Sequence, residues 1–159
     1  MKDRLNISIR RATREDVPSI VRLLADDPLG SKREKYEQPL PESYCDAFRE
    51  IDDDRQNELV VVELDGEVIG TMQLTFIPSL SFQGGKRAQV EGVRVDSRHR
   101  NLGLGHKLFE WAIERARAEG CRFVQLTTNI ERTDAHRFYY DLGFTASHTG
   151  MKLDLQNKR

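Results

Sequence analysis

"DSRHRNLGLGHKLFEWAIERARAEG", residues 96–120, decides the fold. Two glycines, Gly103 and Gly105, stand at the head of a long amphipathic segment. Each glycine in a helix costs about 1 kcal/mol against alanine. Two within one turn mark a place where the backbone needs freedom or where something approaches it closely. Beyond them Leu104, Leu108, Trp111, Ala112 and Ala116 recur at helical spacing, and Phe109 and Ile113 widen the stripe. Gly120 supplies a C-cap. "AQVEGVRVD" (88–96) before the helix and "RFVQLTT" (122–128) after it read as strands. Strand, helix and strand make a crossover, so those two strands run parallel.

Working outward, "NISIRR" (6–11) alternates as a strand, and "TREDVPSIVRLLADD" (13–27) reads as a helix opened by a capping box of Thr13 and Asp16. "DPLGSKREKYEQPLPES" (27–43) is a proline-rich loop, and "SYCDAFREIDDDR" (43–55) is a second helix with a solvated acidic end. "NELVVVELDGEVIGTMQLTFIP" (57–78) is a hairpin turning at Asp65-Gly66. "SLSFQGGKR" (79–87) is a flexible connection. "RTDAHRFYYDLG" (132–143) is a helix, and "FTASH" with "MKLDL" closes the chain as a hairpin. The order predicts an α/β (α+β) fold, with about seven strands in a mixed, mostly antiparallel sheet flanked by about four helices, the parallel, splayed strand pair lying at its centre. One domain spans 1–159, with its core at about 6–155.

With 159 residues, 38% hydrophobic and 32% charged, the chain suits a soluble globular domain. A formal net charge of −1 gives no global field for nucleic acid or an anionic membrane, so neither is an expected partner. "MKDRLNISIRRA" carries no apolar secretory region, and runs such as "LVVV" are too short to cross a bilayer. A cytoplasmic protein is expected. Cys45 and Cys121 make no metal or redox spacing, and Cys121 is expected as a buried thiol. His99, His106, His136 and His148 do not cluster, so no metal is expected.

The first amides of a helix lack intrahelical partners, and the dipole adds partial positive charge there. Arg98, Arg100 and Lys107 stand beside the glycines. Together they describe a phosphate site. It is not a Walker loop, for G-x-x-x-x-G-K-[ST] is absent, and a dinucleotide fingerprint fails because Leu108 holds the third glycine position.

"VRVDSRHRNLGLG" resembles the signature loop of the GNAT superfamily of N-acetyltransferases, Q/R-x-x-G-x-G/A, with Arg100, Gly103 and Gly105 in register. "AHRFYYDLGF" resembles that family's second signature, A-x-x-F-Y-x-x-L-G-F, through Ala135, Phe138, Tyr139, Leu142, Gly143 and Phe144. The resemblance is specific over 90–146. It implies that the turn formed by Arg100, Asn101, Leu102, Gly103, Leu104, Gly105 and His106 cradles the pyrophosphate of acetyl-CoA. Arg100 either orients the loop or contacts phosphate. It further implies that the backbone through Val93, Arg94 and Val95 pairs with the pantetheine arm as an added strand. Phe138 belongs to the same cofactor-binding set. The family's usual asparagine three residues before the matching alanine is Arg132 here, and either Asn129 or Arg132 takes its place.

Acetyl transfer to an amine needs a proton removed from the ammonium, an oxyanion stabilised and a thiolate protonated. The resemblance implies Tyr139 as the acid, with Tyr140 pointing elsewhere on the helix. Glu91 is the candidate base or, equally, a carboxylate that binds the amine. Gly92 beside it marks a bulge or close approach, which in the family splays two strands. The Val93 amide is the expected oxyanion donor. The acceptor is a small-molecule amine or a protein amine, with direct attack in a ternary complex. Acids such as Asp26, Asp27 and Asp52 to Asp54 suit a cationic amine, and a homodimer is a family habit. Two other readings are a non-catalytic acyl-CoA-binding sensor or regulatory module and, more remotely, a nucleotide-binding protein.

Overall fold

The computed structural model describes residues 6–156. Five strands form one sheet in the order β1-β2-β3-β4-β5: β1 (Ile7–Arg11), β2 (Asn57–Leu64), β3 (Glu67–Ile77), β4 (Arg87–Val95) and β5 (Phe123–Leu126). Three pairings are antiparallel, and β4 with β5 is parallel, as the crossover requires. The helices are α1 (Val17–Ala25), α2 (Gly30–Arg33), α3 (Glu42–Asp53), α4 (Ser81–Gly84), α5 (Leu104–Ala118) and α6 (Thr133–Asp141). The four predicted helices are α1, α3, α5 and α6. α2 and α4 are single turns inside predicted loops, and α4 contains left-handed Phe82 (φ 53°) and Gln83 (φ 59°). The described residues form two compact units that divide between Leu126 and Thr127.

Local chemistry accounts for most boundaries in the first unit. Asp65 and Gly66 both have positive φ (49° and 87°), the signature of a two-residue hairpin turn matched to strand twist. The Thr13 backbone amide donates to Asp16 Oδ2 at 2.8 Å, closing the capping box before α1. Gly120 (φ 70°) ends α5 in a Schellman motif: its amide donates to the Arg117 carbonyl and that of Cys121 to the Ala116 carbonyl, both at 2.9 Å.

Cross-strand partners share a face, so the sheet sorts its residues cleanly. Val61 and Val68 pack with Ala12, Ile20 and Leu23 under α1. On the other side lie Met72, Leu74, Phe76, Ala88 and Val90, all buried. There α5 buries Leu104, Leu108, Phe109, Ala112 and Ala116. Trp111 and Ile113 are only half-buried, so Phe109 rather than Trp111 is the main aromatic anchor of the helix. Cys121 is half-buried, not fully buried as expected, because it caps the helix at the surface end of the turn.

The expected closing hairpin is absent: residues 144–155 form no strand, so the sheet has five strands rather than about seven. Met151, Leu153 and Leu155 alternate as a strand would but are 91%, 70% and 86% exposed. Alternation makes a strand only where a neighbour takes the backbone hydrogen bonds and a core covers the apolar face. The parallel pair is correspondingly at the edge of the five-stranded sheet rather than central. No helix among the described residues is long and apolar enough to cross a membrane. Residues 1–5 of "MKDRLNISIRRA" lie outside the described residues.

Candidate active site

The predicted bulge is present in β4. Gln73 pairs with Glu91 and Thr71 with Arg94, so the single residue Met72 on β3 faces two, Gly92 and Val93, on β4. Gly92 has φ +60°, a conformation that side chains resist. On its other side β4 pairs with β5 only from Arg87↔Phe123 to Val90↔Leu126. The parallel ladder therefore ends one residue before Glu91, and the stretch Glu91–Val95 runs on past it. Glu91 is exposed, and its pairing with Gln73 places it on the α1/α3 face of the sheet. Arg94 shares that face, where its guanidinium lies 3.5 Å from the Asp27 carboxylate and donates to the Val93 carbonyl at 2.7 Å.

β4 leads into the glycine turn through Asp96, which is 1% exposed. Its carboxylate accepts from Arg22 of α1 at 2.8 Å, from Arg98 Nε at 3.0 Å and Nη2 at 2.8 Å, and from the Arg98 amide at 2.9 Å. The hydrogen bonds from Arg98, followed by those from Arg22, hold the Asp96 carboxyl well below the usual carboxylate range against the opposing cost of burial. Arg22 also donates to the Val68 carbonyl at 3.1 Å, so one guanidinium clamps two strand ends. Arg98 also pairs with Glu67. Arg98 is exposed, as are Arg100 and Lys107, but its bonds to Asp96 and Glu67 make it a pin for the turn. Neither Asp96 nor Arg22 stood out in the sequence. The one local signal was an aspartate at the N-cap of the short helical turn Ser97–His99.

After this pin the chain turns through left-handed Asn101 (φ 70°) and Gly103 (φ 71°) into α5. The first intrahelical bond is Lys107 N–H to the Gly103 carbonyl at 3.1 Å, so the amides before Lys107 have no acceptor within the helix. A Cβ built on Gly103 would meet nothing within 4 Å, so its face is open to an approaching group. Gly105 lies inside α5 with no positive φ, so backbone freedom does not account for it.

In the second unit Asn129 organises the approach to α6. Its Oδ1 accepts from the Glu131 amide at 2.9 Å, its carbonyl accepts from the Arg132 amide at 3.0 Å, and His136 Nε2 lies 3.1 Å from that carbonyl. The end of α6 explains the second signature physically. Gly143 (φ 90°) donates to the Tyr140 carbonyl at 2.9 Å and Phe144 to the Tyr139 carbonyl at 3.0 Å, a second Schellman cap. Such caps bring the residue after the glycine onto the last turn. Here Phe144 packs edge-on to the Tyr139 ring at 5.9 Å, and Phe138 packs on it at 5.5 Å. Tyr139 is half-buried and held on two sides, while Tyr140 is 56% exposed. No group of three or more metal-ligating side chains occurs among the described residues.

Comparison with known proteins gives the family of the chain. The sequence pattern of the Acetyltransferase (GNAT) family matches residues 18–144. The chain is 31% identical over 140 residues to the aminoalkylphosphonate N-acetyltransferase of Salmonella typhimurium, covering 88% of this chain and 86% of that one. A crystal structure of a transcriptional regulator from Bacillus halodurans is 51% identical and superposes with a TM-score of 0.92, covering 94% of this chain and 100% of the other. Glucosamine-6-phosphate N-acetyltransferase from Arabidopsis thaliana, at 23% identity, shares the fold with a TM-score of 0.75 over 94% of this chain and 99% of its own. Bulge, glycine turn and capped tyrosine helix thus occur in a chain that belongs to the GNAT family of acetyltransferases.

Proposed function

We propose that this protein is an acetyl-CoA-dependent N-acetyltransferase that acetylates a primary amine by direct attack in a ternary complex. The observation that carries the reading is the bulge at Gly92–Val93, set where the β4–β5 ladder stops and followed by a helix N-terminus with an open glycine face. These residues fit the donor. The helix N-terminus opened by the 101–106 turn suits a pyrophosphate, with Arg100 beside it, and the backbone through Val93, Arg94 and Val95 suits the amide-bearing pantetheine arm. Asn129 and Phe138 complete the proposed set. Acetyl-CoA supplies an activated acetyl thioester.

Glu91 draws the ammonium to the bulge or takes its proton. The amine nitrogen forms the new C–N bond as the C–S bond breaks. The Val93 N–H donates to the acetyl oxygen as charge gathers there. The Tyr139 hydroxyl gives its proton to the departing sulfur, so that CoA leaves as the thiol, and the proton removed from the amine restores the balance.

The test is thiol release from acetyl-CoA on addition of an amine, alongside thermal melts with acetyl-CoA, ATP and NADH. Binding at about 100-fold over Kd adds roughly 2.7 kcal/mol, enough to raise Tm by several degrees. A rise with acetyl-CoA alone, with amine-dependent thiol release, supports the reading. No rise at saturation refutes it. A regulatory, non-catalytic acyl-CoA-binding role is the second reading, prompted by the Bacillus halodurans protein described as a transcriptional regulator. Binding with no turnover across a broad amine panel would favour it.

A further inference from the structure

A cavity of about 140 Å³ lies between α1, α3 and the sheet. Leu24, Phe48, Ile51 and Leu59 form much of its wall, and it reaches Gly92 at the β4 bulge. Every residue lining it is uncharged. The polar side chains on its wall already hold protein partners. Thr71 Oγ1 donates to the Val60 carbonyl at 3.0 Å, and Gln73 Nε2 donates to Asn57 Oδ1 at 3.1 Å. The Tyr44 hydroxyl donates to Glu34 at 3.0 Å and accepts from the Lys35 amide at 2.9 Å.

Such an interior offers little to a charged group, and burying an unpaired charge is costly. A dry cavity of about 150 Å³ lined by Leu, Ile and Phe is known to take a benzene ring. The other end differs in character. Glu91 is exposed and stands across from Gln73 on the same face, directly beside Gly92. One end therefore suits an ammonium and the other an apolar body.

We propose that the acceptor is a primary amine whose tail is uncharged and compact, a branched alkyl chain or a phenyl ring seated in this cavity with its nitrogen at Glu91. Amines bearing a phosphonate, a carboxylate or a second ammonium on that tail are disfavoured. This rests on the acetyltransferase reading above and fixes its substrate class.

The experiment measures kcat/KM by thiol release from the intact protein at saturating acetyl-CoA. The acceptors are isoamylamine, phenethylamine, 2-aminoethylphosphonate and spermidine. The two apolar amines should exceed the other two by about tenfold or more, the scale on which apolar pockets discriminate. Ala47→Phe, at an exposed wall position of α3, should narrow the cavity. It should raise KM for phenethylamine about tenfold while leaving the acetyl-CoA-induced rise in Tm unchanged. Preference for the phosphonate or spermidine, or indifference to Ala47→Phe, overturns the substrate class and leaves the acetyltransferase reading standing. Acetyl-CoA binding with no amine acetylated overturns the catalytic reading, and this inference with it.

Discussion

Arg22 in α1 and Asp96 at the end of β4, 74 residues apart in sequence, meet in a 2.8 Å ion pair whose carboxylate is 1% exposed. The pair joins the helix that walls the cavity to the strand that carries the bulge. The glycine turn begins at Asp96, so this contact fixes where the turn starts.

Asp96→Asn should destabilise the fold by about 3 kcal/mol, near the low end for breaking a buried pair, because Arg22 retains 29% exposure. Urea denaturation would measure it. A change below about 0.5 kcal/mol, the level of ordinary surface substitutions, would mean that the pair does not hold the turn.

Acid should unfold this protein through the same group. Hydrogen bonds from Arg98 and Arg22 depress the Asp96 carboxyl, and those from Arg10 and Thr13 depress that of Asp16. In the unfolded chain both titrate near ~3.9. Between the folded and unfolded values the unfolded state binds more protons, so stability rises with pH. The contribution is fully present well above ~3.9 and drains away as pH falls through that value toward the depressed ones. Tm should hold from neutral pH until the buffer approaches ~3.9 and fall as it becomes more acidic, and Asp96→Asn should flatten that fall. An equally steep slope in the variant would place the acid sensitivity elsewhere.

The two glycines of the turn should respond with opposite signs in stability. Gly103 is left-handed at φ 71°, where a side chain costs about 1–2 kcal/mol, so Gly103→Ala should lower Tm. Gly105 is in the first turn of α5 with no positive φ, so Gly105→Ala should raise stability by up to about 1 kcal/mol. Both should weaken acetyl-CoA binding if the turn is the pyrophosphate cradle. Calorimetric titration beside the melts separates the effects, and unchanged affinity in Gly105→Ala would remove close approach as the reason for that glycine.

Tyr139→Phe keeps the ring that packs against Phe138 and Phe144, so the fold should be intact. Loss of the hydroxyl should lower kcat by about 100-fold or more, the usual contribution of a general acid, with KM for acetyl-CoA little changed. Full turnover at saturating substrate would exclude Tyr139 as the acid.

Much of this was legible in the sequence because it is local. The Asp65-Gly66 turn, the Thr13–Asp16 box and the Gly120 cap each involve residues within a few positions of one another, so the chain's own chemistry decides them. The spacing of Leu104, Leu108 and Ala112 gave α5 for the same reason, and Gly92 pointed to the bulge. What the tertiary structure alone decided involves distant partners. Phe109 displaced Trp111 as the buried aromatic because the sheet, not the helix, chooses which part of a wide apolar stripe is covered. The alternation of Met151, Leu153 and Leu155 made no strand, since pairing needs a neighbour that alternation does not encode. Arg22 found Asp96, and the cavity opened between α1 and α3, only once the sheet had brought remote segments together, because burial and charge pairing depend on what packs alongside rather than on what lies next in the chain.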